Sequence, residues 1–135
     1  MPLGDIVTKR RIFRNRQVTR WMTKLGVSDF DLTRSVREME RGLIDADLGH
    51  GILKKRIRLP GRGKRGGARV LLATNRGDRW FFLFGYAKNR KENITSDELE
   101  TLKELGHELL SSDGAKVEHM IQLGELKEII DDQNA

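Results

Sequence analysis

The middle of this chain changes its apolar period at Ile52, from the three-to-four spacing of a helix to the alternation of a strand. Three segments then have strand character. Residues 52–59 alternate apolar and charged side chains, 68–75 are apolar and β-branched, and 79–87 hold most of the aromatic residues. A glycine-rich loop joins the first two segments and a tight turn at 76–78 joins the last two. Because short connections join antiparallel neighbours, the sequence predicts a three-stranded meander.

Helical patterns lie before this meander. Residues 18–25 form a short helical segment that ends at Gly26, a residue suited to the left-handed C′ position. Ser28 is a good N-cap for a second helix, whose apolar stripe recurs every three or four residues and ends near Gly42. A short edge strand is predicted ahead of both helices, at about residues 12–14.

Helical patterns also follow the meander. Thr95 and Glu98 have the spacing of a capping box, which predicts a helix over about 96–110. The sequence therefore predicts one α+β domain of 135 residues. The remaining assignments are a loop at 44–51, a short helix at 115–122 and a short strand or helical turn at 126–130.

Composition excludes several classes of protein. There is no cysteine, so disulfides and thiolate chemistry are ruled out. The three histidines are scattered along the chain, which argues against a metal site built from histidines. We therefore expect neither a metal nor another cofactor. No apolar run approaches the ~20 residues of a membrane span, and no secretory signal follows Met1. We expect a cytoplasmic protein whose first eight residues are disordered or vector-derived.

Charge is distributed very unevenly along the chain. Residues 1–91 hold 23 Lys and Arg against 8 Asp and Glu, whereas residues 92–135 hold 3 against 12. The segment 54–69 alone carries eight positive charges and no negative one. This polarity predicts a polyanion partner for the first part, and a solvated or partner-facing acidic segment at 96–135.

The basic segment begins on the first strand of the meander. Alternation places Lys54, Arg56 and Arg58 on one face and Lys55 on the other. The simplest interpretation of such a run of charges is a solvated face at the edge of the sheet, with no function. Against it, the charges have no acidic neighbours in sequence and continue through the glycine-rich loop as Arg62, Lys64 and Arg65, where backbone N–H groups can approach phosphates.

Two more residues of the meander are candidates for function. Arg69 interrupts an otherwise apolar strand, so it either caps a sheet edge or projects beside Lys54 and Arg56; we favour the second. The aromatic residues of the third strand are predicted to be core, because both strand faces include them. Tyr86, at the end of that strand, is the exception and is a candidate for phenol chemistry or base stacking.

Several motifs, taken in order, resemble the RelE/HigB-like toxins of type II toxin–antitoxin modules over about residues 10–130. Each is weak alone, but their order and spacing are fairly specific. The matching segments are 41–49 (RGLIDADLG), 54–57 (KKRI), 61–69 (GRGKRGGAR), 77–82 (GDRWFF), 85–89 (GYAKN) and 93–99 (NITSDEL).

This resemblance implies a fold, an activity and partners. The fold would be an antiparallel sheet flanked by N-terminal helices, here with an acidic C-terminal helical extension that shields the basic face or contacts the antitoxin. The activity would be a ribosome-dependent mRNA endonuclease, in which a 2′-hydroxyl attacks the adjacent phosphate and basic residues serve the reaction. A cognate antitoxin, expected to be a helix-turn-helix DNA-binding protein, would silence it.

The resemblance also carries over site residues. The strand lysines of the family fall on Lys54 and on Lys55 or Arg56, and its strand arginine falls on Arg69. A tyrosine that some relatives place downstream is missing, because Ile94 and Thr95 stand there. The expected catalytic residues are Lys54, Lys55, Arg56, Arg69 and Lys88; the expected RNA-binding residues are Arg58, Arg62, Lys64, Arg65, Tyr86, Arg90 and Lys91.

Two other functions use the same features. One is a non-catalytic RNA- or ribosome-binding protein, which would show salt-sensitive RNA binding without cleavage. The other is a gyrase-directed toxin of the related ParE branch, which would inhibit supercoiling. The dense basic centre favours RNA.

Overall fold

The structure is a computed structural model that describes residues 9–59, 67–88 and 93–131. The predicted disorder of the first eight residues lies outside this range. Within it the chain forms six strands and four helices. In chain order these are β1 (Arg11–Asn15), α1 (Arg16–Leu25), α2 (Asp29–Glu40), β2 (Ala46–Gly49), β3 (Ile52–Ile57), β4 (Ala68–Thr74), β5 (Arg79–Ala87), α3 (Ser96–Ser111), α4 (Gly114–Gln122) and β6 (Leu126–Ile129).

All of these strands belong to one sheet, in the order β2-β3-β4-β5-β1-β6. The β3-β4-β5 meander is antiparallel, as predicted, and so are the β2–β3 and β1–β6 pairs. The β1–β5 pair is parallel. The α+β class is therefore confirmed, with a mixed sheet that is mostly antiparallel.

Two predictions about the sheet were wrong. β1 is not an edge strand, because β5 and β6 pair with it on either side. Residues 44–51 are not wholly a loop, because Ala46–Gly49 pairs with β3. Both errors have one cause. The strands that pair with each segment, rather than its local sequence, determine whether it is a loop, an edge strand or an inner strand.

Helix boundaries follow their caps. The Asn15 side chain accepts from the N–H of Val18 to begin α1, and Gly26 ends that helix at a φ of 75°. Ser28 and Asp31 form a reciprocal capping box on α2, as Thr95 and Glu98 do on α3. The cap signals in the sequence therefore located all three helices.

The two faces of the sheet bury separate apolar cores. The face beneath α1 and α2 contributes Leu53, Ile57, Val70, Leu72, Trp80 and Phe82, and the face beneath α3 and α4 contributes Ile52, Leu71, Ala73, Phe81 and Tyr86. Because adjacent residues of β4 and β5 enter opposite cores, both faces of the meander are covered by helices. None of the described helices is long and apolar enough to cross a membrane.

The acidic C-terminal segment is built into the sheet. β6 lies beside β1, and Glu128 accepts two hydrogen bonds from the Arg11 guanidinium, each of 2.8 Å, while Glu118 accepts a third at 2.9 Å. Asp131 binds both Arg10 and Arg37. Segment 96–135 is therefore more than a helical extension, because it supplies a strand and ion pairs that hold the start of the domain.

The Arg11–Glu128 pair predicts a pH-dependent contribution to stability. Hydrogen bonds from Arg11 lower the pKa of the Glu128 carboxyl below its ordinary value of 4.5. The folded state therefore favours the carboxylate, and the stabilisation is present above that value and lost as pH falls through the lowered pKa. Both side chains are about one-third exposed, 39% for Arg11 and 33% for Glu128. We expect Glu128→Gln to cost about 0.5–1 kcal/mol at neutral pH and less in acid.

Urea unfolding at about pH 7 and about pH 3.5 measures this difference. Glu125→Gln is the matched control, because Glu125 is exposed and makes no ion pair with another described residue. An equal cost of Glu128→Gln at both pH values would contradict the assignment.

Candidate nucleic-acid interface

Two arginines stand directly opposite each other on neighbouring strands. Arg56 of β3 pairs in register with Arg69 of β4, and Arg69 pairs in turn with Tyr86 of β5. Like charges at facing positions destabilise a sheet, by a few tenths to about 1 kcal/mol. A phosphate bound between the two guanidinium groups would relieve this repulsion.

A glycine leaves room for these two guanidinium groups. A Cβ atom at Gly67 would lie 3.3 Å from Nη1 of Arg69 and 3.7 Å from Nε of Arg56. Both groups therefore converge on the backbone just before β4. Arg69 also donates to the carbonyl of Ala68 at 3.2 Å, which helps to fix its position.

Lys54 completes the cluster. It lies two residues before Arg56 on the same face of β3, in register with Leu71 of β4. Lys54 and Arg69 are half-buried and Arg56 is exposed. We call Lys54, Arg56 and Arg69 the basic face; its three cations come from two strands of the meander.

Helix α3 covers the other half of the same sheet face. Gly106 allows this packing, because a Cβ atom there would lie 2.9 Å from Cβ of Ala73 and 3.0 Å from Cδ1 of Ile52. Ile52 pairs with Ala73 at one end of the β3–β4 ladder, and Arg56 pairs with Arg69 near the other end. The helix contact and the basic face thus divide the ladder between them.

Lys55 lies on the opposite side of the sheet. It is buried beneath α2, where its ammonium donates to the carbonyl of Leu43 at 2.9 Å and lies 3.1 Å from a carboxylate oxygen of Glu38. This placement separates Lys55 from the basic face. Its contacts assign it to holding α2 against β3, and we leave it out of the catalytic group proposed below.

Tyr86 is buried, with 6% of its surface exposed, and belongs to the core beneath α3. Its ring lies 6.0 Å from that of Phe84 at a tilt of 39°. This burial does not suit a platform for base stacking. Its register with Arg69 instead suits a residue that supports the arginine from the neighbouring strand.

The other predicted residues fall around the start of β4. Arg58 follows β3 and is exposed; Lys88 follows β5, is exposed, and its N–H donates to the carbonyl of Gly67 at 3.2 Å. Lys88 is therefore tied to the same backbone that faces the two arginines. The remaining members lie outside the described residues: Arg62, Lys64, Arg65, Arg90 and Lys91.

Sequence reasoning missed two supporting acids. The Asp45 carboxylate accepts from the backbone N–H of Arg56, beyond the point where β2 stops pairing with β3. Glu38 is the partner of Lys55. Asp45 lies in a turn-like stretch and Glu38 on a helix, and neither position carries a local signal for these contacts.

The described carboxylates of the acidic segment bind cations near the start of the chain rather than Lys54 or Arg69. Within residues 93–131, the ion pairs to earlier strands and helices go to Arg10, Arg11 and Arg37. None of the described carboxylates lies within 4.0 Å of the side-chain nitrogens of Lys54 or Arg69. The role of this segment, shielding of the basic face or contact with the antitoxin, stays a prediction.

The comparison with protein families agrees with this architecture. The family model described as the RelE toxin of the RelE/RelB toxin–antitoxin system matches residues 10–129. The chain belongs to the RelE toxin family. Among curated proteins, no match to the chain is found.

Family membership confirms the resemblance drawn from the sequence motifs. This RelE-family protein is a toxin of a toxin–antitoxin system, and an antitoxin partner follows from that membership. The matched region runs from the residue before β1 to the end of β6. It therefore includes most of the acidic C-terminal segment as well as the basic face.

Proposed function

We propose that this toxin is a ribosome-dependent mRNA endoribonuclease of the cytoplasm, and that Lys54, Arg56 and Arg69 form its catalytic centre. The observation that carries the proposal is the facing pair Arg56 and Arg69, with Lys54 on the same sheet face. Two adjacent guanidinium groups suit a phosphodiester, because each presents a planar fork of donors that matches phosphate oxygens.

The proposed reaction is an intramolecular transfer at phosphorus. The 2′-oxygen of one nucleotide attacks the adjacent phosphate as its proton leaves, the bond from phosphorus to the 5′-oxygen breaks, and that oxygen gains a proton. The products are a 2′,3′-cyclic phosphate and a 5′-hydroxyl. Arg56 and Arg69 stabilise the charge that builds on the phosphate oxygens, and Lys54 is placed to move a proton.

The ribosome supplies what the described protein lacks. Catalysis of this transfer needs the 2′-oxygen held in line with the leaving oxygen, and positioning of this kind contributes several kcal/mol. Tyr86, the aromatic residue in register with Arg69, is buried and offers no platform for a base. A message already held in a ribosomal site would reach the three cations in a fixed geometry.

The antitoxin is proposed to be a helix-turn-helix DNA-binding protein encoded beside the toxin. Pairing toxin and repressor in one complex would link toxin activity to transcription. Sequencing of the adjacent reading frame tests this part of the proposal, and a neighbouring frame without such a protein would contradict it.

The test of the activity compares the same message in a translating extract and as naked RNA. We expect cleavage at discrete positions in the extract, products that end in a 2′,3′-cyclic phosphate, and little cleavage of naked RNA. The products are detected by mapping 5′-hydroxyl ends. Salt-sensitive RNA binding without new ends would favour the non-catalytic binding protein, and inhibited supercoiling would favour the gyrase-directed toxin.

A further inference from the structure

A second basic pocket lies at the opposite edge of the sheet, far from the basic face. It has a volume of about 490 Å³ and forms where β1, α1 and β6 meet. Four of its lining residues are cationic and none is acidic. These cations are Arg14, Arg16, Arg20 and Lys127, and we call the cavity the edge pocket.

The edge pocket repeats the unusual arrangement of the basic face. Arg14 of β1 stands directly opposite Lys127 of β6 in the antiparallel register, as Arg56 stands opposite Arg69. A facing pair of like charges is unfavourable by itself. A third facing cation pair in the described sheet, Arg11 and Arg79, differs from these two, because the Arg11 guanidinium binds the carboxylates of Glu128 and Glu118.

The contacts of the four cations leave positive charge in the pocket. Arg14 is buried and pairs with Asp29 at 3.1 Å. Arg16 donates to the carbonyls of Leu123 and Gly124, both at 3.0 Å, and these fix its guanidinium without neutralising it. Arg20 and Lys127 are exposed and have no carboxylate within 4.0 Å among the described residues.

The two basic sites cannot hold the same short stretch of RNA. Arg14 shares a sheet face with Ile12 of the core beneath α1 and α2, whereas Arg69 shares a face with Leu71 of the other core. In the strand order, β6 lies four positions from β3, about 19 Å at ~4.8 Å per strand. A partner that occupies both sites must be large enough to reach around the sheet edge.

We propose that the edge pocket is a second RNA-phosphate site, through which the toxin grips a separate segment of a large structured RNA while the basic face holds the message. This rests on the proposed function. A protein partner would need acidic side chains at each matching position, whereas an RNA backbone supplies a negative charge at every nucleotide. Three of the four cations are arginines, which match phosphate geometry.

The test uses the full chain and the double variant Arg20→Gln with Lys127→Gln, whose side chains are exposed. The first probe is a protein-free RNA hairpin of about 40 nucleotides with a single-stranded tail; the second is a single-stranded hexanucleotide, too short for both sites. We expect the double variant to bind the hairpin about tenfold more weakly, with a salt slope smaller by about 2, and to bind the hexanucleotide unchanged.

The matched control is Lys24→Gln with Arg41→Gln, two exposed cations that line neither basic site and whose loss gives the same net charge. Equal weakening by the control pair would overturn the proposal, since it would reflect net charge alone. Inorganic phosphate at matched ionic strength should not displace the hairpin; full displacement would assign the pocket to the free ion.

A separate arm identifies a protein ligand. If the double variant binds the hairpin normally but loses affinity for the antitoxin, the pocket belongs to that interface and the proposal is wrong. The binding test does not depend on cleavage. A toxin that fails to cut RNA but loses hairpin affinity in the double variant would contradict the proposed function and leave the second site supported.

Discussion

The Arg69→Ala variant is expected to lose RNA cleavage by about 10²–10³-fold, the usual effect of removing one preorganised donor from a charged transition state. Its stability should be unchanged or slightly higher. Arg69 is half-buried, its described hydrogen bond is to the neighbouring carbonyl of Ala68, and its removal relieves the repulsion from Arg56. Activity would therefore fall without a loss of stability, as expected where a site is kept at a cost to the fold.

Single-turnover cleavage in translating extract and urea unfolding measure the two effects. Arg41→Ala is the matched control, because Arg41 is an exposed arginine outside the β3-β4-β5 meander and makes no ion pair with another described residue. Arg69→Lys should fall between wild type and Arg69→Ala, since lysine keeps the charge and loses the planar fork. Full activity in a folded Arg69→Ala protein would contradict the proposed centre.

The parts of the fold that sequence predicted well have local causes. The tight turn after β4 sets the pairing of the adjacent ends of β4 and β5, up to a register shift between Leu72 and Leu71 that the turn does not predict. Alternation places Lys54 and Arg56 on one face of β3 and Lys55 on the other. The helices were located by their own caps, such as Ser28 and Thr95. Each of these signals lies within a few residues of what it determines.

The parts that sequence missed depend on distant partners. β2 has only four residues, two of them Asp47 and Gly49, which are poor strand formers; it becomes a strand because β3 pairs with it. The sequence predicts a short edge strand at β1, but β6, more than a hundred residues later, covers its outer side. No local pattern contains that information.

In the candidate site, too, the features with local signals were predicted and those that depend on distant residues were missed. The sequence placed Lys54, Arg56 and Arg69 together by period and by strand order. It did not show that Glu38 and the carbonyl of Leu43 hold Lys55 beneath α2. That contact needs the packing of a helix on a sheet, which is set by the whole core rather than by residues near Lys55.

The packing of α1 on β5 also helps to hold the basic face in position. Gly85 precedes Tyr86, the residue in register with Arg69. Its N–H donates to Oε1 of Gln17 and its carbonyl accepts from Nε2 of the same side chain, both at 2.8 Å. β1 ends at Asn15, so the Gln17 side chain continues the pairing of β5 where the strand has stopped.

Gly85→Ala is expected to destabilise the domain by about 3 kcal/mol, because the indole of Trp21 lies directly on this glycine. A Cβ atom at Gly85 would stand 2.2 Å from Cδ2 of Trp21, so the ring or the strand must move. Gly114→Ala is the control, since a Cβ atom at Gly114 meets nothing within 4 Å, and it should be neutral or stabilising. Urea unfolding measures both changes.

A double-mutant cycle then separates the clash from other causes. In a Trp21→Leu background the smaller side chain leaves space beside β5, so Gly85→Ala should cost less than half of what it costs in the wild type. An unchanged cost would place the strain in the β5 backbone or in the Gln17 hydrogen bonds instead. Because Gly85 and Tyr86 are adjacent, a Gly85→Ala protein that still folds should also cleave RNA more slowly, through displacement of the strand that backs Arg69.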